Sequence, residues 1–450
     1  MRNQRSNDSD FRGMILRVTT SKQAIFSFRD TEKGKALEQI SRKDTIIAYD
    51  EQGALVILPF NSISYAILTG KEQVTVKRWN EDCHEVDEGL LRARTKEMEK
   101  LLLKYGIDVI VSSVIEGPAV TRYELCPPNG IGIDRIVKQL QNVDSSLRNN
   151  KIRVELPKLG DCSVGIEVPN ETLEPVALSE ILENSEFKKS GSELTFALGR
   201  DIAGKAVTSD LRKAPHLLIA GSTGSGKSTC IKSIIMNLLT NAEPDDMKLI
   251  LIAPRVMELN TFKEIPHLMT PLVTDPSEAV RALRRLVDEM AERYRKFEQA
   301  NVFDIEGYNK CKSANGTTKE ELMPEIVVII HELADLMMTS MSQTEASVCR
   351  IAQLGSSAGI HLIVATVRPV VDVLTGPIRS SIPSRIAFSV PSVVDSRTIL
   401  DMPGAEILLG RGDMLYYSIG AGKPIRVQGC YVSDEEIEQT IEQLKFKQIE

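Results

Sequence analysis

The segment Gly221-Ser-Thr-Gly-Ser-Gly226-Lys227-Ser228 constrains this chain more than any other stretch of its sequence. It matches GxxxxGK[ST] without a mismatch. In such a loop the glycines let backbone N–H groups turn inward around phosphates. Lys227 supplies a point charge to the β- and γ-phosphates, the Ser228 hydroxyl ligates Mg²⁺, and the following helix adds the positive end of its dipole. The motif requires a strand running in and a helix running out. Apolar His216–Ala220 precedes it, and a helical pattern over Lys227–Leu239 follows. The expected nucleotide-binding residues are therefore Gly221, Ser222, Thr223, Gly224, Ser225, Gly226, Lys227, Ser228 and Thr229.

From about residue 192 the pattern suits a domain built around that loop. His216–Ala220, Lys248–Ile252, Ile326–Ile330, His361–Thr366 and Arg385–Val390 are short and almost wholly apolar, as strands covered on both faces are. Helical stretches lie between them at Lys227–Leu239, Pro276–Gln299 and Thr344–Ser356. This alternation predicts an α/β domain with a mostly parallel, doubly wound sheet over residues 191–450. Ser433-Asp-Glu-Glu436 is a capping box that opens a last helix. Residues 91–190 mix a helix, Leu90–Lys104, with short strands broken by Gly, Pro and Asn, an α+β pattern. Residues 76–90 are polar and read as a linker, residues 11–75 as a small strand-rich unit, and residues 1–10 as a disordered tail.

The net charge is −7, so a surface that coats nucleic acid from outside is not expected; any such contact needs a local patch or an enclosed channel. The seven cysteines are scattered, with no CxxC and no His at zinc spacing, which favours free thiols in a reducing cytosol. No apolar run approaches the roughly 18 residues of a membrane span, and the polar N-terminus lacks a signal core, so a cytoplasmic protein is expected.

A second site element follows the apolar run Ile326–Ile330, which ends in His331-Glu332. Glu332 is placed to orient or deprotonate an attacking water. The chain now resembles the FtsK/SpoIIIE family of DNA translocases. The resemblance rests on His216–Ser228, Ile265-Pro-His-Leu268, Val273-Thr-Asp275, Glu306-Gly-Tyr-Asn309, Glu332-Leu-Ala-Asp-Leu-Met-Met338, Ala358-Gly-Ile-His361, Asp395–Asp401 and Leu409–Leu415, in family order. Upstream, Gly117–Glu124 and Val164–Asn170 look like the family's α domain. The resemblance implies a RecA-like motor (the β domain, 191–450) beside an α domain (91–190), with ATP and Mg²⁺ as cofactors. It also implies a homo-hexameric ring that threads double-stranded DNA. Glu332, Lys227 and Arg368 are the implied catalytic residues. Pro377–Arg385 is the candidate pore loop, with Arg379 and Arg385 as candidate DNA contacts. The basic Arg281–Lys296 stretch carries interleaved Asp288, Glu289 and Glu292, and reads as a solvated amphipathic helix.

The sequence also departs from the family pattern. No N-terminal spans precede the motor, and no winged-helix γ domain follows, so sequence-neutral DNA binding is expected. The family's strand-end Asp-Glu reads His331-Glu332, its Asp-Pro-Lys reads Ala253-Pro-Arg255, its Ala-Thr-Gln-Arg-Pro reads Ala365-Thr-Val-Arg-Pro369, and an Arg is replaced by Ser356. An imidazole is a poor substitute for a hard oxygen ligand of Mg²⁺, and no second ligand is evident for a metal site at His331. Losing one transition-state donor typically costs about 10²–10³ in rate. Two readings follow: an ATP-driven DNA translocase, or a paralogue that binds ATP and DNA, hydrolyses poorly, and assembles alone or with an active paralogue. A third, a coupling ATPase with protein cargo, is opposed by the α-domain resemblance.

Overall fold

A computed structural model of the chain describes residues 15–20, 25–28, 45–49, 55–59, 63–69, 75–78, 88–126, 135–136, 138–140, 151–155, 163–183, 187, 192–254, 258–314 and 322–447. The expected tail at 1–10 lies outside them.

The first strands pair antiparallel. β1 (Ile15–Thr20) lies between β2 (Ile25–Phe28) and β5 (Ile63–Thr69), and β3 (Thr45–Tyr49) pairs with β4 (Leu55–Pro59). The next sheet holds β6 (Thr75–Arg78), β7 (Ile110–Glu116), β8 (Val120–Cys126), β9 (Arg153–Glu155) and β10 (Val164–Pro169), in the order β6-β7-β8-β10-β9. Residues 76–78 are thus sheet rather than linker: β6 pairs in parallel with β7, a partner more than thirty residues away that local composition does not reveal. A helix, Glu88–Lys104, carries Met98 and Leu102 into the core of this sheet, against Val111, Leu125 and Ile166.

The large sheet contains β11 (Val176–Ala177), β12 (Thr195–Asp201), β13 (Ala206–Asp210), β14 (His216–Ala220), β15 (Met247–Ile252), β16 (Glu325–Ile330), β17 (Ile360–Thr366), β18 (Ser384–Phe388), β19 (Asp413–Tyr417) and β20 (Ile425–Tyr431). Their order is β13-β12-β20-β19-β18-β14-β17-β16-β15, with β11 beside β20. The sheet is mixed, which corrects the expectation of a mostly parallel one. From β18 to β15 every pairing is parallel, whereas β18-β19-β20-β12-β13 runs antiparallel. The parallel strands were visible because β14, β16 and β17 are buried along their whole length and read as unbroken apolar runs. The flank strands carry Gly, Asp, Arg and Gln among their apolar residues and do not show this signal. Their turns are local: the Asp201 carboxylate accepts from the N–H groups of Ala203 and Lys205, both at 2.9 Å, and closes the β12–β13 hairpin.

Two helices depart from their sequence reading. The helix Pro276–Ala300 is capped by Asp275, which accepts from Glu278 N–H, with Pro276 at its first position. Its basic face is not wholly solvated, however. Arg293 is buried and donates to the Ala358 carbonyl at 2.7 Å and to Glu289 at 3.1 Å. The helix expected from Thr344 begins at Leu333 and ends at Leu354, with a break at Ser340 (φ −157°, ψ 85°). The capping box forms: Ser433 N–H donates to Glu436, and Glu436 N–H donates to Ser433 Oγ.

The second sheet and the large sheet are joined by buried charge. Arg426 on β20 donates to both oxygens of Asp413 on β19, at 2.9 and 2.7 Å, and to Glu167 on β10 at 2.8 Å. Glu167 also accepts from Arg153 at 3.1 Å. Burial alone would raise the Glu167 pKa, but Arg153 and Arg426 hold it below the usual carboxylate value. Likewise burial alone would lower that of Arg426, and Asp413 and Glu167 overcome it. Arg426→Leu is predicted to cost about 3–5 kcal/mol, because it strands two buried carboxylates. The stabilisation through Glu167 is full at neutral pH and is lost as pH falls from its unfolded value of 4.5 towards the lower folded one. Chemical denaturation at pH 7 and pH 4 measures both effects; a variant as stable as the parent at pH 7 would refute the assignment.

Candidate functional site

β14 lies between β17 and β18, the point at which the strand order changes direction. The C-terminal ends of the strands there open a crevice, where ligands of open α/β sheets bind. The loop leaving β14 occupies it. Gly226, at φ +118°, adopts a backbone conformation that L side chains rarely take, and a Cβ there would sit 2.6 Å from Gly412 N. Ser222 N–H donates to the Ser389 carbonyl at 2.9 Å, and Gly412 N–H donates to the Ser225 carbonyl at 2.9 Å. The loop is thus stitched to β18 on one side and to the 409–412 turn on the other. The helix Lys227–Asn241 starts at once, and no side chain caps its first turn. Lys227 is buried and its ammonium donates to the Ser222 carbonyl at 2.7 Å.

A cavity of about 540 Å³ surrounds the loop. Thr223, Gly224, Gly226, Lys227, Ser228 and Thr229 line it, together with Glu258, His331, Glu332 and Val367. Its opposite wall comes from Leu173–Val176, Arg411–Gly412 and Gln428–Tyr431. Of the predicted loop residues, Gly221, Ser222 and Ser225 lie behind this lining, and they shape the turn through hydrogen bonds such as Ser225 Oγ to the Ser222 carbonyl at 2.7 Å. Cys230 and Cys430 also line the cavity, but burial pushes both thiols up, Cys430 to about 12, so they are inert neutral groups.

Glu332 follows β16 and is buried. Its carboxylate accepts from Thr366 Oγ1 at 2.6 Å, from Val367 N–H at 3.1 Å and from Ala334 N–H at 3.2 Å. These bonds aim one carboxylate at the cavity from the ends of two parallel strands. His331 lies beside it, with Nε2 at 2.8 Å from Glu258 Oε2. Sequence reading missed Glu258. It sits just before the short turn Asn260–Phe262, and its carboxylate also accepts from Ser228 Oγ at 2.5 Å. Three residues, the outer two more than a hundred positions apart, thus meet at one point. Ala253 is buried at the end of β15, whereas Arg255 lies outside the described residues.

The remaining predicted residues do not join this cavity. Arg368 is exposed and is not part of its lining; its backbone N–H donates to Thr366 Oγ1 at 3.1 Å. The stretch expected as a pore loop is a helical turn, Gly376–Ser381, followed directly by β18. Arg385 is buried in that strand. It donates to Asp401 at 2.6 Å, to the Ile399 carbonyl at 2.9 Å and to the Arg379 carbonyl at 2.8 Å. That departs from the DNA contact expected of it, since its hydrogen-bonding groups are turned inward. Arg379 is half-buried and pairs with the other Asp401 oxygen at 3.1 Å.

The sheet, the loop and the crevice define the fold of the P-loop ATPases. The solved structure of the pCW3 conjugation coupling protein TcpA, bound to ATPγS, has the same fold. It aligns with a TM-score of 0.54 at 21 % identity, covering 78 % of this chain and 99 % of that one. A model of the FtsK/SpoIIIE family matches residues 177–371, and a model of the FtsK alpha domain matches residues 75–170. The chain is 51 % identical over 356 residues to the DNA translocase FtsK of Caldanaerobacter subterraneus, covering 79 % of this chain and 49 % of the relative. It is 46 % identical over 367 residues to the DNA translocase SpoIIIE of Bacillus subtilis, covering 81 % and 47 %. The chain belongs to the FtsK/SpoIIIE family. It spans about half the length of the curated relatives it matches. Among the described residues no helix is long and apolar enough to cross a membrane.

Membership implies nucleotide binding, and the buried Lys227 ammonium is the obvious positive group at the loop. Lys227→Ala is expected to weaken nucleotide binding by roughly ten- to hundredfold, the usual worth of a hydrogen bond to a charged group. Titration with a fluorescent nucleotide analogue measures this, and equal affinity in variant and parent would contradict the placement.

Proposed function

We propose that this chain is the ATP-driven motor of a double-stranded DNA translocase acting in DNA segregation or transfer. The observation that carries the reading is an intact phosphate loop opening on a cavity of about 540 Å³ at the crevice of the sheet. In this reading residues 91–190 form the α domain and residues 191–450 the motor domain, a homo-hexamer in the cytoplasm that holds DNA without sequence preference. ATP lies along Gly221–Thr229, Lys227 neutralises the phosphates, Ser228 contacts the Mg²⁺ ion, and Glu332 positions the attacking water. Arg368, exposed and outside the cavity lining, then acts only from a neighbouring subunit or after closure. Arg379 contacts DNA only if it exchanges Asp401 for phosphate.

A second reading rests on a specific observation. His331 stands at the strand end where an acid is expected, Val367 offers only a backbone N–H, and that N–H is already bound to Glu332. A protein of this kind holds ATP more readily than it turns it over, alone or in a ring with an active paralogue.

ATP turnover with and without long duplex DNA separates the two. The translocase reading expects DNA to stimulate hydrolysis well above a Lys227→Ala control. The impaired reading expects a rate near that control, raised by about tenfold or more in the double variant His331→Asp, Val367→Gln, since a restored donor is worth at least that. A parent protein that is already fast and DNA-stimulated sinks the second reading.

A further inference from the structure

Ser228, Glu258 and His331 approach one another at the foot of the phosphate loop. Glu258 Oε2 is 2.5 Å from Ser228 Oγ and 2.8 Å from His331 Nε2. All three line the cavity that Lys227 and Glu332 also line. A carboxylate there is unwelcome to bare phosphates, because like charges repel at this range. It becomes favourable once a divalent cation stands between them. Mg²⁺ prefers hard oxygen donors, typically one or two carboxylates with substrate phosphates and water. The oxygens present, one carboxylate and one hydroxyl, fit that demand. Among the described residues no group of three or more His, Cys, Asp or Glu forms a free-standing metal site, so phosphate oxygens are needed to complete this one.

We propose that Glu258 supplies the protein carboxylate for the nucleotide's divalent cation, directly or through water, with Ser228 as its neighbour. In this arrangement His331 stands beside Glu258, with Nε2 2.8 Å from Oε2, and is not needed as a ligand of the ion. The inference rests on the nucleotide reading above, and it adds a residue to that site. It explains how a strand end that carries an imidazole can still serve an Mg²⁺-dependent reaction. The acid comes from the segment after β15, not from the end of β16.

The full-length chain, with ATPγS as the probe, tests this in excess Mg²⁺ and again in EDTA. Glu258→Gln is isosteric at a half-buried position, and its melting curve serves as the folding control. The expected result is a loss of Mg²⁺–ATPγS affinity on the order of 10–100-fold, the usual cost of altering a metal's supporting groups. Affinity in EDTA should stay the same or rise, because a repulsive charge is gone. Glu258→Asp, which keeps the charge, should retain most of the metal dependence. Mn²⁺ titrated by EPR with ATPγS present should show the same ranking of the three proteins. An unchanged ratio of Mg²⁺ to EDTA affinities in Glu258→Gln overturns the proposal. So does an equal rise in both affinities, which would make Glu258 a cover over the loop. Failure of the parent to bind ATPγS under either condition would instead overturn the nucleotide reading on which it rests.

Discussion

Arg426 is the interaction on which the rest of this structure leans. Its guanidinium is almost wholly buried and holds Asp413 and Glu167, which are buried as deeply. Such a cluster is not a source of great net stability, because three charges lose their hydration. Its effect is on geometry. Glu167 belongs to the second sheet and Asp413 to the large one, so the two sheets are held at a fixed meeting point. Asp413 also accepts from Leu409 N–H at 2.8 Å, and so shapes the 409–412 turn. Gly412 in that turn donates to the Ser225 carbonyl and accepts from Gly429 N–H at 2.8 Å. A short run of hydrogen bonds therefore connects the junction of the two sheets to the phosphate loop.

The candidate site inherits this construction. One wall is the phosphate loop and the ends of the parallel strands, with Glu332 clamped by Thr366 and Val367. The other wall is Leu173–Val176, the 411–412 turn and the end of β20. Leu173–Val176 directly follows the second sheet's last strand.

Glu258 changes the meaning of the altered strand end. On sequence alone His331 is a defect, an imidazole where hard oxygen is wanted. In three dimensions it is adjacent to a carboxylate that also touches the phosphate-loop serine. The impaired-hydrolysis reading loses part of its basis if that carboxylate serves the cation. It keeps the part that rests on Val367, whose side chain has no donor.

Much of the core was legible because its signals are local. The loop glycines, the unbroken apolar runs of β14, β16 and β17, and the capping box at Ser433 each depend on neighbours in sequence. So do the helix starting at Lys227 and the acid at Glu332. Only the tertiary structure decided the rest, because it depends on partners far apart in the chain. The antiparallel flank was hidden, since its strands mix Gly, Gln and Arg with apolar residues and are recognisable only once paired. β6 reads as linker in the sequence, since its partner β7 lies beyond the next helix. Arg385 was expected at DNA as part of the candidate pore loop, yet it is buried against Asp401 and three carbonyl groups. Glu258 carried no motif of its own; it meets His331 because β15 and β16 are neighbours in the sheet, and it meets Ser228 because β14 belongs to the same parallel set. A sequence can announce chemistry that one loop performs, but a site assembled from three separate segments becomes visible only when the sheet has brought them together.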